Sequence, residues 1–252
     1  MHEAKKALRF ALTLLPVAVI AGIFVTIYQM ETLPAEIMGD AIAEIGGKGV
    51  LIAVSTLQAV IYALFCGFFG YILAVKTGLW KPARLEKKPL VITGAISLIG
   101  GVLFSMDYWV FGGLIEAVKL SYAIPVTPST VIASVLYGGM IEEIMMRLFF
   151  MSLIVLLLWK IFARKRSRDE IPAWVFSVAN IIAAIAFAAG HLPATTVLFG
   201  ELTPMILLRC FLLNGGFGLV FGWLYRKYGI IYAMIAHALF HVVSKAIWLI
   251  FI

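Results

Sequence analysis

Apolar stretches long enough to cross a bilayer recur along this chain, separated by short segments in which charges, prolines and glycines concentrate. A helix spans the hydrocarbon layer with about 20 apolar residues. Segments 9–28, 50–75, 90–113, 129–160, 172–192, 204–225 and 229–251 meet that requirement. The pattern predicts an all-α fold, a polytopic transmembrane helix bundle of about seven spans. An eighth could lie only in the ambiguous stretch 106–128, where Asp107, Glu116, Lys119, Pro125 and Pro128 favour an outer loop or a surface helix. There is no internal repeat, low-complexity tract or linker, so 1–252 reads as a single membrane domain.

Composition narrows the class. Of 252 residues, 63% are hydrophobic and 13% charged, against about a quarter charged in an average soluble domain, which excludes an ordinary water-soluble protein. The net charge of +7 does not point to nucleic acid, because the basic residues cluster in short loops, where they set membrane orientation. Lys5, Lys6 and Arg9, then Lys76 to Lys88, then Lys160 to Arg168, then Arg226 and Lys227 alternate with segments poor in Lys and Arg. That alternation predicts a multi-pass protein of the cell membrane, surrounded by lipid, with a cytosolic N-terminus. The opposite loop, with Glu31, Glu36, Asp40 and Glu44, lies outside. All six tryptophans fall near span ends, the interfacial position an amphipathic ring prefers. The basic N-terminus resembles a signal peptide, but its apolar stretch is too long, and it is expected to stay as the first span. Cys66 and Cys210 lie inside apolar runs and suggest neither a disulfide framework nor a thiolate zinc site.

The informative charges are those inside the spans, where an ionisable side chain costs on the order of 3 kcal/mol and marks function. Glu142, Glu143 and Arg147 lie together in the fourth span, Phe187 and His191 end the fifth, and His237 and His241 lie in the seventh. Neighbours on a helix point about 100° apart while i and i+4 share a face. Glu143 is therefore expected to pair with Arg147, leaving Glu142 without a local partner, as a general base would be. The alternative is a packing network of all three. His237 and His241 are spaced like the two imidazoles of a helical zinc motif, but the residues between them include no glutamate, so a base must come from another helix. Glu142 is the candidate, with His191 completing a ligand set. Lys245 and Arg209 are expected to snorkel to the outer interface. Asn180 and Asn214 are expected to make interhelical hydrogen bonds, and Gly218 with Gly222 close helix packing.

The order Glu142-Glu143-xxx-Arg147, Phe187-xxx-His191, His237-xxx-His241, each in a separate apolar segment, resembles the CPBP family of intramembrane proteases, also called ABI, which includes the CAAX prenyl endopeptidases. Its motifs are EExxxR, FxxxH and HxxxN or HxxxD, and the catalytic core they imply covers about 129–245. The resemblance implies an intramembrane endopeptidase acting on a membrane-associated peptide or protein, prenylated in some members. It implies Glu142 as the carboxylate that activates water, and His191 and His237 as zinc ligands or as groups that orient the water and stabilise the oxyanion. Glu143 and Arg147 would support the site. His241 stands where the family usually has Asn or Asp and could bond to the site or become a fourth zinc ligand. Other classes remain: a proton-coupled transporter, which would show inverted repeats not visible here, or an inactive protease-like scaffold. One conflict is explicit. Glu142 lies about 26 Å along its helix from Trp159, and His191 about 28 Å from Pro172, but His237 only about 15 Å from Lys227, so straight upright helices would not bring them together.

Overall fold

The apolar stretches form seven helices long enough to span a membrane in the computed structural model, which describes residues 2–252. They are α1 (His2–Thr32), α2 (Lys48–Thr77), α3 (Lys87–Val110), α4 (Pro128–Phe162), α5 (Ala173–Phe199), α6 (Pro204–Tyr228) and α7 (Ile230–Phe251). Among the described residues there is no strand. The protein is a polytopic helical bundle. The stretch 106–128 holds the end of α3 and a single short helix, Glu116–Ser121, and no eighth span.

Packing follows the small residues. The bundle pairs α1 with α2, α2 with α4, α5 with α6, and sets α7 between α3 and α4. At the α4–α7 contact, a Cβ on Gly139 would come within 2.8 Å of the Ala238 Cβ and 2.9 Å of its Cα, so glycine is what lets the two backbones touch. Gly218 and Gly222 bring α6 against Ala184 and Asn180 of α5 in the same way. The turn from α6 to α7 is a single residue, Gly229, at φ 106°, a conformation that glycine adopts without a Cβ clash. Beside it, the Tyr232 hydroxyl donates to the Arg84 carbonyl at 2.8 Å, and Lys81 reaches the Lys227 carbonyl, tying the basic α2–α3 loop to the α6–α7 corner.

At the opposite end, Arg209 is not snorkelling as expected. Its Nε and Nη2 donate to the two oxygens of Asp107 at 2.8 and 2.6 Å, Asp107 is 2% exposed, and the Tyr122 hydroxyl donates to the same carboxylate at 2.9 Å. A charge at this depth is stabilised by a partner in the protein more than by a reach to the interface. That partner sits 102 residues earlier, at the end of α3. Burial and the Asp107 charge push the Tyr122 hydroxyl well above its ordinary pKa, so it stays a neutral donor. The Trp248 indole donates to the Tyr122 carbonyl at 3.0 Å, so this cluster fastens α3, α6 and α7 beneath the 106–128 segment.

Candidate active site

Within α4 the chain leaves α-helical winding. Ser134–Glu142 and Ile144–Met151 are π-helical, with amides bonded five residues back, before α-winding resumes at Ser152. Such widened turns occur disproportionately at functional sites. The expected separation of the two glutamates nonetheless holds. Glu143 is fully buried, and its Oε1 lies 3.0 Å from Nη1 of Arg147, itself 1% exposed, at an angle that makes an ion pair but no hydrogen bond. Arg147 Nη2 donates to the Gly218 carbonyl at 3.1 Å, and its guanidinium lies over the rings of Phe187 and Phe221, 4.5 and 5.6 Å from their centroids. One residue earlier, Glu142 faces a cavity of about 350 Å³ that His191, His237 and His241 also line. It has neither an ion-pair partner nor a side-chain hydrogen bond among the described residues.

The imidazoles are fixed by their outer nitrogens. His237 Nδ1 lies 2.9 Å from Glu143 Oε1, and His191 Nδ1 lies 2.8 Å from the Phe187 carbonyl. Both partners are acceptors, so each Nδ1 carries the proton and each Nε2 is left with a lone pair. His191 terminates the first part of α5, its amide bonding back to Ala188 at 3.1 Å, and Pro193 opens the following turn. That joint turns the ring into the cavity, where it packs edge-on against Phe187. His237 is stacked on Phe221 at 4.4 Å between centroids.

His241 has a role its sequence position did not disclose. Its Nε2 is 3.1 Å from the Nε2 of His237 and its ring lies nearly parallel to that ring. Since His237 Nδ1 holds its own proton against Glu143, His241 Nε2–H is the donor, and its buried Nδ1 has no partner. Gly138 opens the space beside it: a Cβ there would stand 3.0 Å from His241 Nε2 and 3.9 Å from Glu142 Oε2.

Other expectations divide. Asn180 donates across helices to the Leu219 carbonyl at 2.9 Å as expected, whereas Asn214 bonds within its own helix, to Cys210 at 3.1 Å, and lines the cavity. Lys245, expected to reach the outer interface, also lines the cavity and lies 5.4 Å from the Trp248 ring centroid. Tyr137, which the sequence gave no reason to select, is a further lining residue, next to the Gly138 gap. The depth conflict is resolved by length and winding. At 35 residues α4 is longer than the hydrocarbon layer requires, which leaves room for tilt or extension, and π-winding shortens its path between Glu142 and Ser152.

The fit of zinc is tested by the donors. Among the described residues no group of three or more His, Cys, Asp or Glu side chains is placed to hold a metal ion. His237 Nε2 is occupied by the His241 N–H, which leaves His191 Nε2 and Glu142 as free donors where a catalytic zinc takes three. Fixed Nδ1 partners are what ligating imidazoles need, but the arrangement as it stands does not fit the ion.

Comparison with known proteins yielded a family match. Residues 125–243, a little under half of the chain, match the family described as Rce1-like type II CAAX prenyl endopeptidase. No curated protein and no solved structure matches the chain. The matched segment contains Glu142, Glu143, Arg147, Phe187, His191, His237 and His241. Over the 119 residues that carry this site, the chain is similar to the Rce1-like family of type II CAAX prenyl endopeptidases.

Proposed function

We propose that this protein is an intramembrane endopeptidase in which Glu142 is the general base. The observation that carries the reading is that Glu142 is the one carboxylate lining the cavity, and the cavity also holds an imidazole, His191, whose Nε2 is free. Water bound between them gives one O–H to Glu142 and the other to His191 Nε2, which aims an oxygen lone pair at a peptide carbonyl. As the C–O bond forms, Glu142 takes the proton. The oxyanion is met by the His237–His241 pair, whose shared proton makes it a donor when His241 turns toward the substrate. Glu142 then delivers the proton to the leaving amine as the C–N bond breaks. Glu143, His237's Nδ1 acceptor, and Arg147 act as positioning residues.

Zinc, suggested by the HxxxH spacing, would find only His191 Nε2 and Glu142 free, because the His241 N–H occupies His237 Nε2. Every step above uses the chain's own groups. The substrate we infer is a membrane-associated peptide or protein, lipid-modified members included. An apolar groove of about 390 Å³ between α3 and α6 shares Leu213 and Phe217 with the polar cavity and gives a hydrocarbon tail a place beside the scissile bond. The basic loops support a cytosolic N-terminus in the cell membrane. Tyr28, Arg209 and Lys245 line the cavity from the helix ends remote from those loops, so the cavity opens toward the outer half of the bilayer. Glu142→Gln should lower cleavage of a pool of fluorogenic peptides, with and without an S-prenyl cysteine, by about 10²–10⁴-fold while the purified protein keeps its melting temperature. Full activity in that variant would overturn the mechanism.

A further inference from the structure

At the end of the bundle that carries the basic loops, α2 and α4 finish side by side with a crevice of about 470 Å³ between them. Its walls are Lys76 on α2 and Leu156, Leu157, Trp159 and Lys160 on α4. Both lysines are exposed, and among the described residues no carboxylate lies within 4.0 Å of either ammonium. The acids of the adjoining loop are taken: Asp169 holds Arg168 at 3.0 Å, and Glu170 accepts from the Ser167 amide and hydroxyl. Trp159 is buried, its indole donates to the Arg166 carbonyl at 3.1 Å, and the Lys160 ammonium lies 3.8 Å from its ring centroid. The ring is thereby a fixed wall that holds one cation at the crevice. Leu157 is 46% exposed, so beside the two ammoniums the crevice presents an apolar surface to the hydrocarbon layer.

We propose that this crevice binds an anionic phospholipid, with the phosphate between Lys76 and Lys160 and an acyl chain along Leu156 and Leu157. The assignment does not depend on the peptidase reading. Positive charge alone serves topology, and a basic loop residue does that wherever its head points. Two unpaired ammoniums on one crevice, with a fixed aromatic wall and an apolar surface beside them, match a ligand that is anionic at one end and hydrocarbon at the other. A zwitterionic headgroup offers the same phosphate but brings a cation next to the lysines, so a headgroup of net negative charge is favoured. A free phosphate makes no use of Leu156 and Leu157. The bound lipid ties the ends of two helices that already touch deeper down, where a Cβ on Gly70 of α2 would come within 3.0 Å of the Leu148 backbone. It therefore braces the helix that also carries Glu142 and Arg147.

Full-length protein in a neutral detergent is offered phosphatidylglycerol and phosphatidylcholine with identical acyl chains, and the bound lipid is counted by native mass spectrometry. Each lysine facing an anionic headgroup changes binding about five-fold, so phosphatidylglycerol should be preferred by roughly 25-fold. Lys76→Gln/Lys160→Gln should bring the two lipids level, and Lys76→Arg/Lys160→Arg should keep most of the preference. Lys87→Gln/Lys88→Gln removes the same charge from the same end of the bundle, outside the crevice, and should leave the preference largely unchanged. Equal retention of the two lipids by the unsubstituted protein overturns the site. Equal loss in the two double-glutamine variants also overturns it, reducing the effect to the diffuse field of the basic loops. Inorganic phosphate at the lipid's concentration should not displace the lipid, and displacement overturns the lipid assignment in favour of a soluble anion. Phosphatidylglycerol at about ten times its Kd should raise the melting temperature of the unsubstituted protein by roughly 3–6 °C and that of Lys76→Gln/Lys160→Gln by much less. Without lipid these two proteins should melt together, which excludes misfolding as the cause of the lost binding.

Discussion

Glu143 and Arg147 are fully enclosed, and the cost of separating them follows from what each would keep. Glu143→Gln retains the shape of the side chain and an oxygen for His237, but leaves the Arg147 guanidinium with the Gly218 carbonyl and two aromatic faces as its remaining direct partners. An unpaired charge in so dry a site costs about 3–5 kcal/mol. At roughly 2–4 °C per kcal/mol for a chain of this size, the melting temperature should fall by about 10 °C. Arg147→Met alone strands the carboxylate and should cost a similar amount. Replacing both, as Glu143→Gln/Arg147→Met, removes the charges together, so the double variant should lose far less than the sum, with a coupling of about 3 kcal/mol. Thermal unfolding of the purified proteins in one detergent, followed by tryptophan fluorescence, measures all four corners of the cycle. Additive losses would refute the claim that these two groups form one electrostatic unit. Cleavage should fall in both single variants, and it should not recover in the double variant, because His237 then lacks the carboxylate that orients it.

Three further outcomes follow from the geometry. Gly139→Val drives side-chain atoms into the Ala238 backbone and should cost about 1–3 kcal/mol together with most of the activity. Gly94→Ala, on α3, meets nothing within 4 Å and should be harmless in the same melting assay. Purified protein analysed by mass spectrometry for metals should contain well under one zinc per chain and keep its activity in a strong chelator, whereas stoichiometric zinc with chelator-sensitive cleavage would replace the metal-free route. A single cysteine at position 36 should react with a membrane-impermeant maleimide in intact cells, and one at position 165 only after lysis. Both native cysteines are buried and supply little background, and the opposite labelling would invert the orientation.

Much of this arrangement was legible because membranes punish stray charge. Hydropathy alone located the seven helices to within several residues, and the same scarcity of charge singled out Glu142, Glu143 and Arg147. The i to i+4 rule separated a paired from an unpaired glutamate even though α4 turned out to be wound as a π-helix there, since Glu143 and Arg147 still meet. What stayed hidden depends on contacts between helices. That His237 leans on Glu143 follows from the register that Gly139 and Ala238 set between α4 and α7, which no single helix encodes. Arg209 looked like an interfacial residue because its own span offers no acid, and its partner lies on α3. Lys245 was placed at the right end of α7, but its direction depends on a cavity that exists only once six helices are assembled. Asn214 could not be told from Asn180, because intrahelical and interhelical acceptors are alike in sequence.

The π-wound part of α4 also bears on how this chain can vary. In an ordinary spanning helix, loss of one residue rotates everything beyond it by about 100° and carries inward-facing groups out into lipid. A wide turn already contains a residue that α-winding does not need. Deleting one position between Ser134 and Tyr137 can therefore be absorbed by local rewinding, with both the Pro128 end and Glu142 staying where they are. The same deletion between Ser152 and Phe162, where the winding is α-helical, has no such slack. Length tolerance in this bundle is thus concentrated beside Glu142, and chains that differ by one residue there can present the same carboxylate to the cavity.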